Sequence, residues 1–509
     1  DQQLKHIRQD QYFTQFHDAV TATHVDPAYA ELEKQWQAID RETATFQQAT
    51  LEVLAPAQNE TGCLSVINTA GHPITGLCKA VIANDSGNAA LEDAGGRPAR
   101  IVESHPLGGG LLEVTFLAES VPPFSSRLYR ILPAGSENLP LDHSTAPVIE
   151  NRRFRVQADT HGLVSVFDKM LGREILVSDG YRPGELILEH DEGSTWATLT
   201  DDQRRVRLAP YTTLQRVEKS PSVQRLVFSV NTPREMGLSG KCLGAQVIVN
   251  LVEDLERVDF QVHADWECFN QRLRVAMPVS KSGECQHWYE IPYGMLERKP
   301  YETSFCWIGA NGDWPAINFA GVEQPGLSVA MFNQGIPSYR IEAGSGESEV
   351  MLLSLLRSPA IPTYLHEPDY YSMTEYDGMR DSGEHDFNFA ISAYTQPLTA
   401  SSVVLDADGY QAPLITAAGE THLPVMPQLE PGIARISSVK WAEDGSGLVL
   451  RLVEFRGQGG QVSLRLPDNT HTADRVNLLE RQPEPLPIQN QEIHLNLRPW
   501  EIATVRIYD

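Results

Sequence analysis

Cysteine is scarce in this chain: six residues in 509, Cys63, Cys78, Cys242, Cys268, Cys285 and Cys306, with no Cys-x-x-Cys pair. So thin a scatter over so long a chain gives no disulfide framework and predicts a reduced, cytoplasmic protein. Positive charge is short as well. Lys plus Arg number 41 against 67 Asp plus Glu, a net −26, which repels nucleic acid and anionic membrane surfaces and favours neutral or weakly charged ligands. No apolar run reaches the length of a membrane span. The opening residues Asp1-Gln2-Gln3-Leu4-Lys5 form neither a signal peptide nor an initiator start, so the chain is expected to begin inside something longer or to have been cut. Internal repeats, low-complexity tracts, a Gly-x-Ser-x-Gly elbow and a His-Glu-x-x-His helix are all absent. Gly108-Gly109-Gly110 precedes a strand and lacks the following helix that anion binding needs.

What is present divides into a helical start and a long β body. At this length a single core is too small, and two to four domains are expected. Residues 1–49 carry Leu4, Ile7 and Phe16, then Tyr29, Leu32, Trp36, Ile39 and Phe46, at spacings near three, four and seven that predict two amphipathic helices. Asp26 and Pro27 suit the cap and first turn of the second helix, which leaves His17 and Asp18 at the end of the first or in the loop between them. From residue 50 onward short strands broken by Gly, Pro, Asn and Asp predict a mainly β fold: a small sandwich over 50–145, a large one over 146–405, and a C-terminal sandwich over 406–509 after a Pro- and Thr-containing linker. Val258, Phe260, Val262, Ala264 and Trp266 alternate with Asp259, Gln261, His263 and Asp265, one set on each face of a strand. Met351–Leu356 is apolar on both faces and so central.

Gln15-Phe16-His17-Asp18-Ala19-Val20-Thr21 is the segment whose residues look chosen for chemistry. It resembles the Gln-x-His-Asp-Ala-x-Thr stretch of the class II α-mannosidases, glycoside hydrolase family 38. Further segments resemble the family's later domains in order: Asn151–Val156 with Gly162–Asp168; Arg257–Phe260 with Asp265-Trp266 and Leu273–Val275; Asp313–Ala316 with Gly326–Asn333; and Leu355–Pro359 with Gly383–Phe387. The resemblance implies a short helical segment, residues 1–49, left from a helical bundle, followed by β-sandwiches that include a large galactose-mutarotase-like supersandwich. Two departures stand out. The family's amino-terminal barrel, source of the nucleophile and the other metal ligands, has no counterpart here, and Ala22 stands where the family pattern has Gly.

The resemblance further implies hydrolysis of α-mannosides by a zinc-dependent retaining glycosidase of which this is the C-terminal part, inactive alone and without a catalytic nucleophile of its own. His17 is the implied zinc ligand and Asp18 a substrate contact. Arg380 and Asp381, in the aromatic and charged stretch Tyr370–Asp381, are the candidates for substrate contact from the large sandwich, since such loops bind hydroxyls with planar polar groups. Each has a plainer reading: a helix-end histidine, a loop cap, a solvated surface loop. His263-Ala264-Asp265 offers a chelating pair, but polar residues on one strand face usually meet water or cross-strand partners. Glu189–Trp196 is a weaker loop candidate. The implied partner is a mannose-containing oligosaccharide or glycoside, with neither nucleic acid nor membrane, and homo-oligomerisation is left open. The rival readings are a non-catalytic carbohydrate-binding or structural module, and another supersandwich carbohydrate-active enzyme with its own base among the β-domains.

Overall fold

The computed structural model describes residues 2–20, 26–55, 62–83, 89–133, 142–143, 146–191, 200–232, 239–240, 243–299, 313–359 and 381–508. Helices gather at the start: α1 (Gln2–Thr14), the short α2 (His17–Val20) and α3 (Asp26–Leu54), with α4 (Val403–Gln411) far along the chain. Pro27 falls in the first turn of α3, where its fixed φ fits and its missing N–H breaks no helical bond. α1 packs on α3, and Ala55, just past the end of α3, is buried with Ile67 and Ala417 of the small sandwich. That anchor matters because a helix of one amphipathic stripe draws most of its stability from tertiary packing. Among the described residues no helix is long and apolar enough to cross a membrane.

Every strand pairing among the described residues is antiparallel. In the small sandwich one sheet runs in the order Ile415–Ala418, Cys63–Asn68, Ser125–Pro133, Ala89–Asp93, and its companion sheet Ile74–Ala83, Leu111–Val121, Arg100–Gly108. The boundary expected near 405 therefore falls inside α4, and part of the expected linker supplies an edge strand. Partners 354 residues apart, such as Ser65 donating to the Gly419 carbonyl at 2.8 Å, leave no local pattern in the sequence.

The large sandwich has two ten-stranded sheets closing on one core that contains Phe260 and Phe389 from one and Leu273, Val275 and Leu353 from the other. The strand Val258–Trp266 alternates as expected, its odd-numbered polar residues outside the core. It pairs with Gly383–Tyr394 so that Phe260 lies opposite Phe389, the rings stacked 5.2 Å apart at 11°, a pairing worth about 0.5–1.5 kcal/mol beyond the area it buries. The strand Ser348–Ser358 is buried along nearly all its length between Gln271–Ser280 and Ser338–Ala343, the central place its two apolar faces predicted. The C-terminal sandwich sets three strands against five.

The three β bodies meet at α4. Arg435 of the C-terminal sandwich pairs with Asp408 of α4 and stands 3.8 Å from Glu290 of the large sandwich, which accepts a hydrogen bond from Asn318 N–H at 2.9 Å. Burial pushes the Glu290 carboxyl up to about 7, with Arg435 opposing and Asp408 adding to the rise. A carboxyl raised in the native state holds its proton more tightly there than when unfolded, so its contribution to stability is complete below the unfolded value near 4.5 and is lost as pH climbs towards 7. Glu290→Gln is accordingly expected to gain on the parent protein through that window, by up to ~3 kcal/mol at pH 8, and to show no such trend below pH ~4.5. Thermal unfolding of both proteins across pH checks this, and a flat difference would overturn it.

Candidate functional site

α1 runs out in tight turns, with Gln15 and Phe16 N–H donating to Tyr12 and Phe13 carbonyls at 3.2 Å and the Thr14 hydroxyl to Gln11 O at 2.9 Å. His17 then opens α2. Its side chain is 77% exposed, its Nε2 lies 3.4 Å from Asp18 Oδ2, and Asp18 is 55% exposed; the Phe16 ring is 4.2 Å away. The two residues are thus adjacent, accessible and mutually oriented. This exposure fits a metal ligand and an ordinary helix-end histidine alike.

Arg380 lies outside the described residues. Asp381 is exposed, holds a left-handed φ of 50°, and accepts a hydrogen bond on its carbonyl from His385 Nε2 at 2.6 Å. Its carboxylate also acts on Tyr29 of α3, whose phenol is raised first by burial, then by Asp381 and Glu33. The start of α3 thus lies within electrostatic reach of Asp381.

Beneath that end lies a layer of buried ions. The Arg274 side chain, with no exposure, reaches Glu189 at 2.7 Å and Asp313 at 2.8 Å. Arg205 joins Glu189 at 2.7 Å to Glu342 at 2.5 Å, Arg272 binds Asp313, and Arg357 holds Asp191 at 2.5 Å. Burial alone would raise the Asp313 carboxyl, yet Arg274 and Arg272 hold it well below the usual range. Trp266 ties the two sheets together at the same end, donating to Ser358 Oγ at 2.6 Å. Glu189 and Asp191, expected in a polar loop, are thus fully buried supports; residues 192–196 of that candidate lie outside the described residues. A signal existed in the sequence: Arg272 and Arg274 share one face of a mostly apolar strand, as Glu189 and Asp191 do on the neighbouring one.

The His263 and Asp265 alternative resolves into cross-strand pairing, His263 Nδ1 meeting Asp386 directly opposite and Asp265 lying across from Glu384. Among the described residues the three-donor group that could hold a metal is His6, Asp10 and Glu42, ligand atoms within 4.8 Å of one another on the α1–α3 pair; it includes neither His17 nor Asp18. A catalytic zinc draws on three or more protein ligands, so His17 and Asp18 fit a contributing role and fall short of a full set.

Residues 149–365 match the glycosyl hydrolases family 38 C-terminal domain, and residues 434–505 match the family 38 C-terminal beta sandwich domain. The chain belongs to glycosyl hydrolase family 38, as its C-terminal portion. Among solved structures this family 38 chain is similar to an alpha-mannosidase from Enterococcus faecalis V583, at TM-score 0.78 and 18% identity over 99% of this chain and 63% of the other. It is similar also to a protein in the glycosyl hydrolase family 38 from Enterococcus faecalis, at TM-score 0.77 and 16% identity over 99% of this chain and 66% of the other. At these identities the likeness speaks for the fold, and the chain spans just under two thirds of each neighbour. No curated protein matches it in sequence.

Two substitutions separate support from chemistry. Arg274→Ala leaves Glu189 and Asp313 without their shared cation and is expected to destabilise the protein by ~3–5 kcal/mol, whereas His17→Ala, at an exposed position, is expected to shift stability by no more than ~0.5 kcal/mol. Denaturant unfolding of both variants measures the contrast.

Proposed function

We propose that this family 38 chain is the post-barrel part of a zinc-dependent retaining α-mannosidase, in which His17 ligates the metal and Asp18 contacts the sugar. One observation carries the reading: an accessible imidazole beside an accessible carboxylate, on the short helix α2, within a family 38 fold. The remaining metal donors and the pair of catalytic carboxyl groups of a retaining glycosidase are assigned to polypeptide beyond these residues. Zinc in such a site supplies a Lewis acid that orients sugar hydroxyls and offsets charge developing on the ring.

This chain's own residues then bind and orient. His17 presents a ring nitrogen to the metal. Asp18, 3.4 Å from His17 Nε2, accepts hydrogen bonds from a sugar hydroxyl or steadies the imidazole, the part a neighbouring carboxylate usually takes around a metal-bound histidine. Asp381 adds an acceptor from the sandwich side, with Arg380 next to it as the planar donor. A substrate without charge suits a surface with this excess of carboxylates.

The test uses the full-length protein and an aryl α-mannoside. Chelation is expected to abolish hydrolysis and zinc to restore it. His17→Ala is expected to lower kcat/KM by at least ~100-fold, the upper range seen when even a supporting residue of a metal site is lost. Hydrolysis that continues after all zinc is stripped removes His17 from its assigned role.

A further inference from the structure

The outer face of the sheet that contains Val258–Trp266 forms the floor of a cleft of about 470 Å³, roofed by the small sandwich at Lys79, Glu103 and Thr115 and closed at one end by Tyr410 of α4. Its size is that of an ordinary small-molecule site. The cleft lies away from the Asp381 end. Gln261, its nearest floor residue towards that end, is five positions from Trp266, or about 17 Å along an extended strand.

The charges in this cleft are already matched. Arg225 pairs with Glu103, stands 3.7 Å from Glu218 and donates to Asn250 Oδ1 at 2.8 Å. Arg216 reaches Glu218 at 2.5 Å, Arg257 reaches Asp259 at 2.7 Å, and Lys79 reaches Glu113 at 3.3 Å. A charged ligand would have to break one of these pairs and leave its partner desolvated without a counter-ion, which is costly; a neutral ligand would not. What the floor does offer is two amides. Gln261 and Asn388 are directly opposite each other on neighbouring strands, and among the described residues no hydrogen bond engages either side-chain amide. Opposed residues in an antiparallel pair stand about 4.5–5.5 Å apart, and each amide has two donors and one acceptor. Two opposed amides, each able to donate and to accept, suit a neutral ligand rich in hydroxyls.

We propose that this cleft binds a neutral oligosaccharide, held chiefly by Gln261 and Asn388 and bridging the small and large sandwiches. The inference rests on the matched charges and the opposed amides, and stands whether or not the protein is a zinc mannosidase.

The experiment is saturation-transfer NMR on the full-length protein with three probes: α-mannotriose, cellotriose, and inorganic sulfate titrated as competitor. It is run in the parent, in His17→Ala, and in a Gln261→Ala, Asn388→Ala double variant, with hydrolysis of a small aryl α-mannoside followed in parallel. A neutral trisaccharide is expected to bind in His17→Ala and to bind about tenfold or more weakly in the double variant, the loss of two hydrogen-bonding amides, while the double variant keeps its unfolding temperature and its aryl-mannoside hydrolysis. Trisaccharide binding that the double variant leaves intact, binding abolished by His17→Ala alone, displacement by sulfate, or no binding of either trisaccharide overturns the proposal. Because binding is read without turnover, failure here is distinct from failure of the zinc reading, which is decided by chelation and the hydrolysis rate.

Discussion

The antiparallel pairing of Val258–Trp266 with Gly383–Tyr394 decides where the chemistry of the large sandwich can lie. Its inner face stacks Phe260 on Phe389 and commits the sheet to the core. With side chains alternating at a period of two, that commitment fixes Asp259, Gln261, His263 and Asp265 outward, beside Asn388, Asp386 and Glu384. One end of the pair delivers Asp381 to the neighbourhood of Tyr29; the other brings Arg257 over the Tyr410 ring at 5.0 Å, under α4. A slip of one residue would turn the phenylalanines to solvent and the carboxylates into the core, so register here is set by the strongest force in the fold.

The same end of the sandwich is held by ions where most proteins use apolar side chains. A buried arginine is tolerable only when its partners surround it, and Arg274 between Glu189 and Asp313 meets that condition on both sides. Such a layer gives little net stability compared with well-packed hydrocarbon. It does fix geometry, because each guanidinium donates along fixed directions in its own plane. Rigid strands ending in directional ion pairs hold their ends in fixed positions, and the strand Ser348–Ser358 reaches this end at Ser358, beside Trp266.

Much of this was legible in the sequence, and the parts that were not share a cause. The period-two strands, the central apolar strand at Met351–Leu356 and the helix beginning at Asp26 and Pro27 follow from neighbours within a few residues, and all appear. The motif around His17 was legible through its resemblance alone. The edge strand Ile415–Ala418 was invisible because its partner is Cys63–Asn68. α4 was obscured by two aspartates, a glycine and paired valines, all poor helix formers, although Val403, Ala407 and Tyr410, which it buries, repeat at helical spacing. Glu189 and Asp191 looked like loop residues because charge normally marks the surface; only the opposed arginines reveal why they are inside.

The exposure of His17 has one more implication. A metal ligand works best when its rotamer is fixed before the metal arrives, since ordering a free side chain consumes part of the binding free energy. The imidazole, 77% exposed, meets Asp18 and the tilted ring of Phe16, and Phe16 is itself exposed along with Tyr12, Phe13 and Val20. Four apolar side chains in and just beyond one helix are an incomplete packing surface rather than scattered exposure. Whatever covers them would also confine Phe16, and through it the ring of His17. In the proposed zinc site, preorganisation of His17 would therefore be coupled to burial of α1, so that packing on the helix and metal affinity would be two readings of one contact.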